Sequence, residues 1–303
     1  RSTRSSATPV SVSSTPDATP THPLPATATT APLPTATTTI TEIPAASSTP
    51  APTRPVCRES AGRTEEGSLS SDDLPLPLQY KVLLPPCYDQ EPGRRYPVLY
   101  LIHGQNYNHD QWERLGAGDR RDELIAAGEV PPFILVLPRD RSWAQPTEDL
   151  YGKVVAESLV PLIDESYRTR PDRRFRAVGG LSRGAGWAVH LGITRPDLFG
   201  ALGAHSLPVF HTDAIHMRQW LDELSADQTP RIYMDIGDHD RPEIMRSAVW
   251  FEELLTEKGI PHEWHLYPGY HEEAYWEAHL DEYLRWYARE WQSNPLVEQR
   301  IPR

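Results

Sequence analysis

Apolar and polar positions begin to alternate in folded-protein fashion only from about residue 78 onward. Residues 79–84 (Gln-Tyr-Lys-Val-Leu-Leu) read as a strand that stops at Pro85-Pro86. Residues 95–102 read as a second, in which Val98, Leu99, Tyr100, Leu101 and Ile102 are apolar without a break. An unbroken apolar run belongs to a strand covered on both faces, in the middle of a parallel sheet. Residues 133–137 repeat that pattern, after a helical stretch over 120–127 closed by Gly128. An amphipathic helix is predicted over 148–167, with Leu150, Val154, Leu159, Leu162 and Ile163 turned inward. Strands follow at 174–178, 201–204, 231–236 and 263–267, with helices between them. The helix over 243–258 carries Ile244, Ala248, Phe251 and Leu255 at helical spacing. The helix over 272–291 does the same with Trp276, Leu280, Tyr283, Leu284 and Tyr287. Strands alternating with helices predict an α/β fold, a mostly parallel central sheet with helices on both faces. No internal repeat is visible. Residues 206–229, between one strand and the next, are long enough to form a small lid.

Residues 1–56 are a different material, mostly Thr, Ala, Pro and Ser, with no aromatic residue. Such a stretch cannot bury enough apolar surface to offset its ordering entropy, and its prolines favour an extended spacer. The expected division is therefore a disordered linker or stalk at 1–56 and a catalytic domain at 57–303. Stalks of this composition often tether an extracellular domain to a surface or to another module. The chain starts at an arginine with no apolar signal core, so a targeting peptide is expected to be absent already.

Charge narrows the partners. A net charge of −12, with basic and acidic residues interspersed, excludes a nucleic-acid surface, which needs clustered Lys and Arg. No apolar run approaches the about 20 residues that cross a bilayer, so no transmembrane segment is expected. The two cysteines, Cys57 and Cys87, are consistent with one disulfide in an oxidising compartment, secreted, cell-surface or periplasmic.

The candidate chemistry centres on Gly180-Leu181-Ser182-Arg183-Gly184, which follows a strand and opens a helix. A Gly-x-Ser-x-Gly turn in that context stands a serine hydroxyl clear of the sheet edge. Side chains two residues to either side would collide with the neighbouring backbone, so glycine is required there. The helix N-terminus then turns free N–H groups toward a developing oxyanion. A serine needs a base, and the base needs an acid to orient it. Two later strands end in Gly237-Asp238-His239-Asp240 and Pro268-Gly269-Tyr270-His271, the loops where both are expected. The order Ser182, Asp240, His271 is that of α/β-hydrolases. Asp238 and Asp235 stay open as alternative acids, although Asp235 lies inside its strand. His239 reads as a solvated loop histidine. His205, His211 and His216 match no zinc spacing, and neither a metal nor an organic cofactor is expected. His103 reads as structural, holding its turn through ring hydrogen bonds. Trp112 and Trp143 are candidates to line an acyl or sugar pocket, with simple core packing the alternative.

From about 78 to 292 the chain resembles the α/β-hydrolase superfamily. Within it, it is similar to the esterase family that includes esterase D, feruloyl esterases, enterochelin-type esterases and mycolyltransferases. The residues that carry the likeness are Tyr100-Leu101-Ile102-His103-Gly104 with Trp112 downstream, the 180–184 pentapeptide, and Arg195-Pro196-Asp197-Leu198-Phe199-Gly200. The 237–240 loop and Tyr267-Pro268-Gly269-Tyr270-His271, with Trp276 behind it, complete the set. The resemblance implies Ser182 as nucleophile, Asp240 as acid and His271 as base, with the backbone N–H groups of Gln105 and Arg183 as oxyanion donors. Arg183 departs from the pattern, since many relatives carry Met or a small residue there. Its guanidinium either alters selectivity or is held away by a carboxylate.

The expected function is a secreted serine esterase working through an acyl-enzyme on carbohydrate esters such as feruloylated or acetylated polysaccharide. Alternatives are an acyltransferase to a sugar hydroxyl and a non-catalytic glycan-binding surface module.

Overall fold

The computed structural model describes residues 57–292. The Thr/Pro-rich stretch expected to act as a stalk lies outside them, as do residues 293–303. The elements, in chain order, are β1 (Arg63–Leu69), β2 (Leu78–Leu84), β3 (Val98–Ile102), α1 (Gln111–Arg114), α2 (Ala117–Ala126) and β4 (Ile134–Pro138). Then come α3 (Tyr151–Val154), α4 (Val160–Ser166), β5 (Arg176–Leu181), α5 (Arg183–Thr194), β6 (Ala201–His205), α6 (His211–Ala214) and α7 (Met217–Glu223). The chain continues through β7 (Arg231–Gly237), α8 (Pro242–Glu257), β8 (Glu263–Tyr267) and α9 (Glu273–Ala288). The eight strands form one sheet in the order β1-β2-β4-β3-β5-β6-β7-β8. All pairs from β4 to β8 are parallel, and only the β1–β2 and β2–β4 pairs are antiparallel.

The unbroken apolar strands stand where their pattern puts them. Every residue of β3, β4, β5 and β6 is buried. Successive side chains point to opposite faces, so Val98, Tyr100 and Ile102 join one apolar layer with Tyr151, Ile163, Trp187 and Phe251. Leu99 and Leu101 join the other, with Trp112, Leu124, Tyr283 and Trp291. The strands must therefore be apolar on both sides, which is why their sequences do not alternate.

Several boundaries differ from the sequence reading. β1 was not expected, because Arg-Thr-Glu-Glu-Gly-Ser-Leu offers almost no apolar signal. It is an exposed edge strand, held by full-length pairing with β2. Cys87 consequently follows the second strand rather than the first. The helix expected over 148–167 begins at Tyr151 and is interrupted by a π-helical turn at Val155–Leu159. Pro161 explains the widening: it has no N–H to offer residue 157, and its ring crowds that carbonyl. The helix over 272–291 ends at Ala288. Residues 206–229 form α6 and α7 and bury Phe210, Met217 and Leu221 in the core, with Phe210 against Trp187 of α5. Cys57 and Cys87 are joined by a disulfide.

Candidate active site

The parallel strands all end on one edge of the sheet, and the loops beyond those ends carry the polar residues singled out above. β5 leads into Ser182, whose backbone lies at φ 53° and ψ −125°, a conformation side chains rarely adopt. The flanking glycines permit it. A Cβ on Gly180 would lie 2.3 Å from the carbonyl of Gly184, and one on Gly184 would lie 2.1 Å from the carbonyl oxygen of Ile102. The turn is thus pressed between its own helix and the end of β3.

His271, in the loop after β8, places Nε2 2.8 Å from Ser182 Oγ. Its Nδ1 lies 3.0 Å from Oδ2 and 2.8 Å from Oδ1 of Asp240, which follows β7. A ring that donates Nδ1–H to a carboxylate leaves Nε2 unprotonated and ready to accept the serine proton. The Asp240 carboxylate is buried and also accepts the N–H of Arg241 at 2.6 Å. Asp238, one of the alternative acids, faces solvent with His239. Its bond to His239 and the Gly269 N–H hold its carboxyl below the usual range. Its part is to zip the two loops together, since His239 N–H also donates to Gly269 O. Asp235, the other alternative, is fully buried and bonded to His205, Tyr275 and Tyr283.

A second hydrogen-bonded chain runs through the loop after β3. Arg183 is buried, and its Nε donates to Asp140 Oδ2 at 2.6 Å while Nη2 donates to Ala144 O at 2.7 Å. The guanidinium is therefore held by a carboxylate, and it lies over the rings of Trp187 and Phe210. Trp187 Nε1 donates to the same Asp140 oxygen. The Asp140 N–H donates to His103 Nε2 at 3.0 Å. With that nitrogen an acceptor, the proton sits on Nδ1, which donates to Gly104 O at 2.7 Å. Burial, which disfavours the charged ring, pushes the His103 pKa down and keeps the neutral tautomer in place. Gly104 N–H donates to Gln111 Oε1, and Gln111 Nε2 donates to Glu273 at the start of α9. The loop bearing Gln105 is thus tied to the residue after the serine on one side and to the helix after His271 on the other.

Asp140, Gln111 and Glu273 went unremarked in the sequence. The only signal for Asp140 was its place just past the end of an apolar strand. The expectation that Trp112 lines a pocket is corrected: it is 1 % exposed, and its N–H donates to Ile102 O inside the core. Trp143 is 70 % exposed, beside the Ala144 carbonyl that holds Arg183. Tyr107 and Tyr270, on the loops after β3 and β8, are exposed as well. His205 uses both ring nitrogens within the core, on Asp235 and Tyr287.

A family model described as "Putative esterase" matches residues 71–287. An endo-1,4-beta-xylanase/feruloyl esterase of Xylanibacter ruminicola is 32% identical over 184 residues, covering 56% of this chain and 24% of its own length. An esterase of Mycobacterium tuberculosis is 27% identical over 242 residues, covering 63% of this chain and 51% of its own. The chain thus spans between a quarter and a half of these relatives. Among solved structures, a ferulic acid esterase superposes with a TM-score of 0.67 at 26% identity, over 76% of this chain and 98% of that one. A ferulic acid esterase from Anaeromyces mucronatus in complex with ferulic acid gives 0.60 at 21% identity, over 74% and 89%, a likeness of fold.

Proposed function

From the premise that the chain belongs to the esterase family matched over residues 71–287, we propose that it is a serine carboxylic-ester hydrolase acting through an acyl-enzyme. The observation that carries this reading is the unbroken run from Ser182 Oγ to His271 Nε2 and from His271 Nδ1 to Asp240. Ser182 Oγ attacks the ester carbonyl as its proton passes to His271 Nε2. Asp240 stabilises the imidazolium that forms and keeps the ring oriented. The carbonyl oxygen, now negative, is met by the backbone N–H groups of Gln105 and Arg183. When the tetrahedral species collapses, the C–O bond to the alcohol breaks and His271 returns the proton to the departing oxygen. A water then attacks the acyl-serine by the same route, and the free acid leaves.

The substrate we favour is a carbohydrate ester, feruloylated or acetylated polysaccharide. Support comes from the feruloyl esterases among the similar proteins and from Tyr107, Trp143 and Tyr270, exposed on loops beside the site. Because Asp140 neutralises Arg183, the acyl group itself meets no free guanidinium, which suits an uncharged acyl chain. The disulfide supports an oxidising, extracytoplasmic setting, where the Thr/Pro-rich tail would tether the enzyme to a surface or another module.

The test is turnover of p-nitrophenyl acetate and methyl ferulate by the parent and by Ser182→Ala, His271→Ala and Asp240→Asn. The parent should hydrolyse both, and each variant should lose kcat, Asp240→Asn by about ten-thousand-fold. A Ser182→Ala protein with parent activity would sink the proposal.

A further inference from the structure

β6 lies between the strand that ends in Ser182 and the strand that leads to Asp240, and its last residue is not a bystander. The carbonyl of His205 accepts the N–H of Ser182 at 2.8 Å. Its ring is fully buried, with Nδ1 2.6 Å from Asp235 Oδ1 and Nε2 3.1 Å from the Tyr287 hydroxyl. The other Asp235 oxygen accepts two more donors, Tyr275 at 2.7 Å and Tyr283 at 2.6 Å. Tyr283 also stacks on the His205 ring, with centroids 3.7 Å apart. The next residue, Ser206, is buried in a left-handed conformation at φ 55°, and its N–H donates to Asp235 O. Its Oγ accepts the indole N–H of Trp276 at 3.2 Å. The Trp276 ring meets the His271 ring at 5.0 Å, edge to face.

Tyr275, Trp276, Tyr283 and Tyr287 all belong to α9, the helix that follows His271. The sheet is shaped to receive them. Gly179 and Gly203 pair across β5 and β6, and a Cβ on either would stand 1.8 Å from the Tyr287 hydroxyl oxygen. Two adjacent strands thus leave a slot that lets that hydroxyl down to His205. Four hydrogen bonds from one helix converge on the ends of β6 and β7, directly behind the serine.

We propose that His205, Ser206 and Asp235, clamped to α9 through Tyr287 and Trp276, are positioning residues that set the Ser182–His271 separation. This rests on the Ser182–His271–Asp240 reading. His205 fixes the serine through its backbone carbonyl, and Ser206 fixes the base through the Trp276 ring. None of them touches the ester. A buried carboxylate with three donors is well satisfied, so the device is rigid. A base displaced by an ångström costs rate, not substrate affinity.

The experiment uses the full chain with Ser206→Ala, Tyr287→Phe and Trp276→Phe, and Ser182→Ala as control. Read-outs are kcat and KM on p-nitrophenyl acetate at 25 °C, the rate of covalent inactivation by a fluorophosphonate, and near-ultraviolet circular dichroism. The expected result is a kcat about tenfold lower in each variant, with KM within twofold and inactivation slowed in parallel. A purely structural role would lower the melting temperature and leave kcat and inactivation at parent values, which overturns the proposal. Should Ser206→Ala fail to fold, Tyr287→Phe decides the matter, since it keeps the phenyl ring and removes only the hydroxyl that meets His205. Activity surviving in Ser182→Ala overturns the underlying triad reading and this inference with it. A silent Ser182→Ala beside unimpaired variants overturns the inference alone.

Discussion

Ser182 and His271 were legible in the sequence as candidates because each sits in a short motif beside a recognisable strand end, with Asp240 named ahead of Asp238 and Asp235 as the acid. The residues that hold them were not. Asp140, Gln111 and His205 act through partners 43, 162 and 30 positions away in the chain, and no local pattern announces such pairs. Trp112 was left between pocket and core for a related reason: an indole suits a sugar face and a core equally well, and only packing tells them apart. Two expectations belong to this scale. Gly180→Ala forces a Cβ into the Gly184 carbonyl, and an ångström of displacement in the serine turn should cost about 100-fold in kcat, measurable on any p-nitrophenyl ester. The other concerns pH. Burial holds the folded-state pKa of His103 below its ordinary value of about 6.5. As pH falls below that value the unfolded chain takes up a proton that the folded one refuses. Stability is therefore full above about pH 6.5 and declines as pH drops toward the folded-state pKa, by at most about 1.4 kcal/mol per pH unit from this group. Urea midpoints should fall less steeply with acid in His103→Gln than in the parent.

At the scale of elements, the buried parallel strands and long helices were readable because burial dictates their composition. β1 was invisible because main-chain pairing with β2 runs along its whole length while its side chains carry almost no apolar pattern. The π-helical turn ahead of Pro161 likewise follows from a backbone conflict that apolar spacing does not record. The disulfide also belongs here. Because β2 runs antiparallel to β4, its end and Cys87 lie at the sheet edge opposite the serine. Closing a loop with a sequence separation of 30 should contribute about 3–4 kcal/mol in the chain-entropy model. The Cys57→Ser/Cys87→Ser protein should melt roughly 6–16 °C lower, with kcat at 25 °C within twofold of the parent. A large loss of kcat at unchanged melting temperature would contradict that placement.

For the molecule as a whole, alternation of strand and helix was enough to predict the parallel α/β sheet, but not its antiparallel extension by β1 and β2. Residues 57–292 contain both apolar layers and every side chain of the proposed mechanism. Deleting residues 1–56 should consequently leave kcat on soluble esters within twofold. A larger loss in steady-state assays would assign the tail a part in catalysis rather than in tethering.

The slot over Gly179 and Gly203 ties three distant positions into one choice. An alanine at either glycine would stand 1.8 Å from the hydroxyl oxygen of a tyrosine at 287, so either change alone pushes that side chain off its seat. A lineage that enlarges position 179 or 203 is expected to shorten the residue at 287 as well, and with it to give up the Nε2 partner of the His205 ring. Across homologues these positions should therefore vary together or not at all, a correlation that links two sheet residues to one on the final helix.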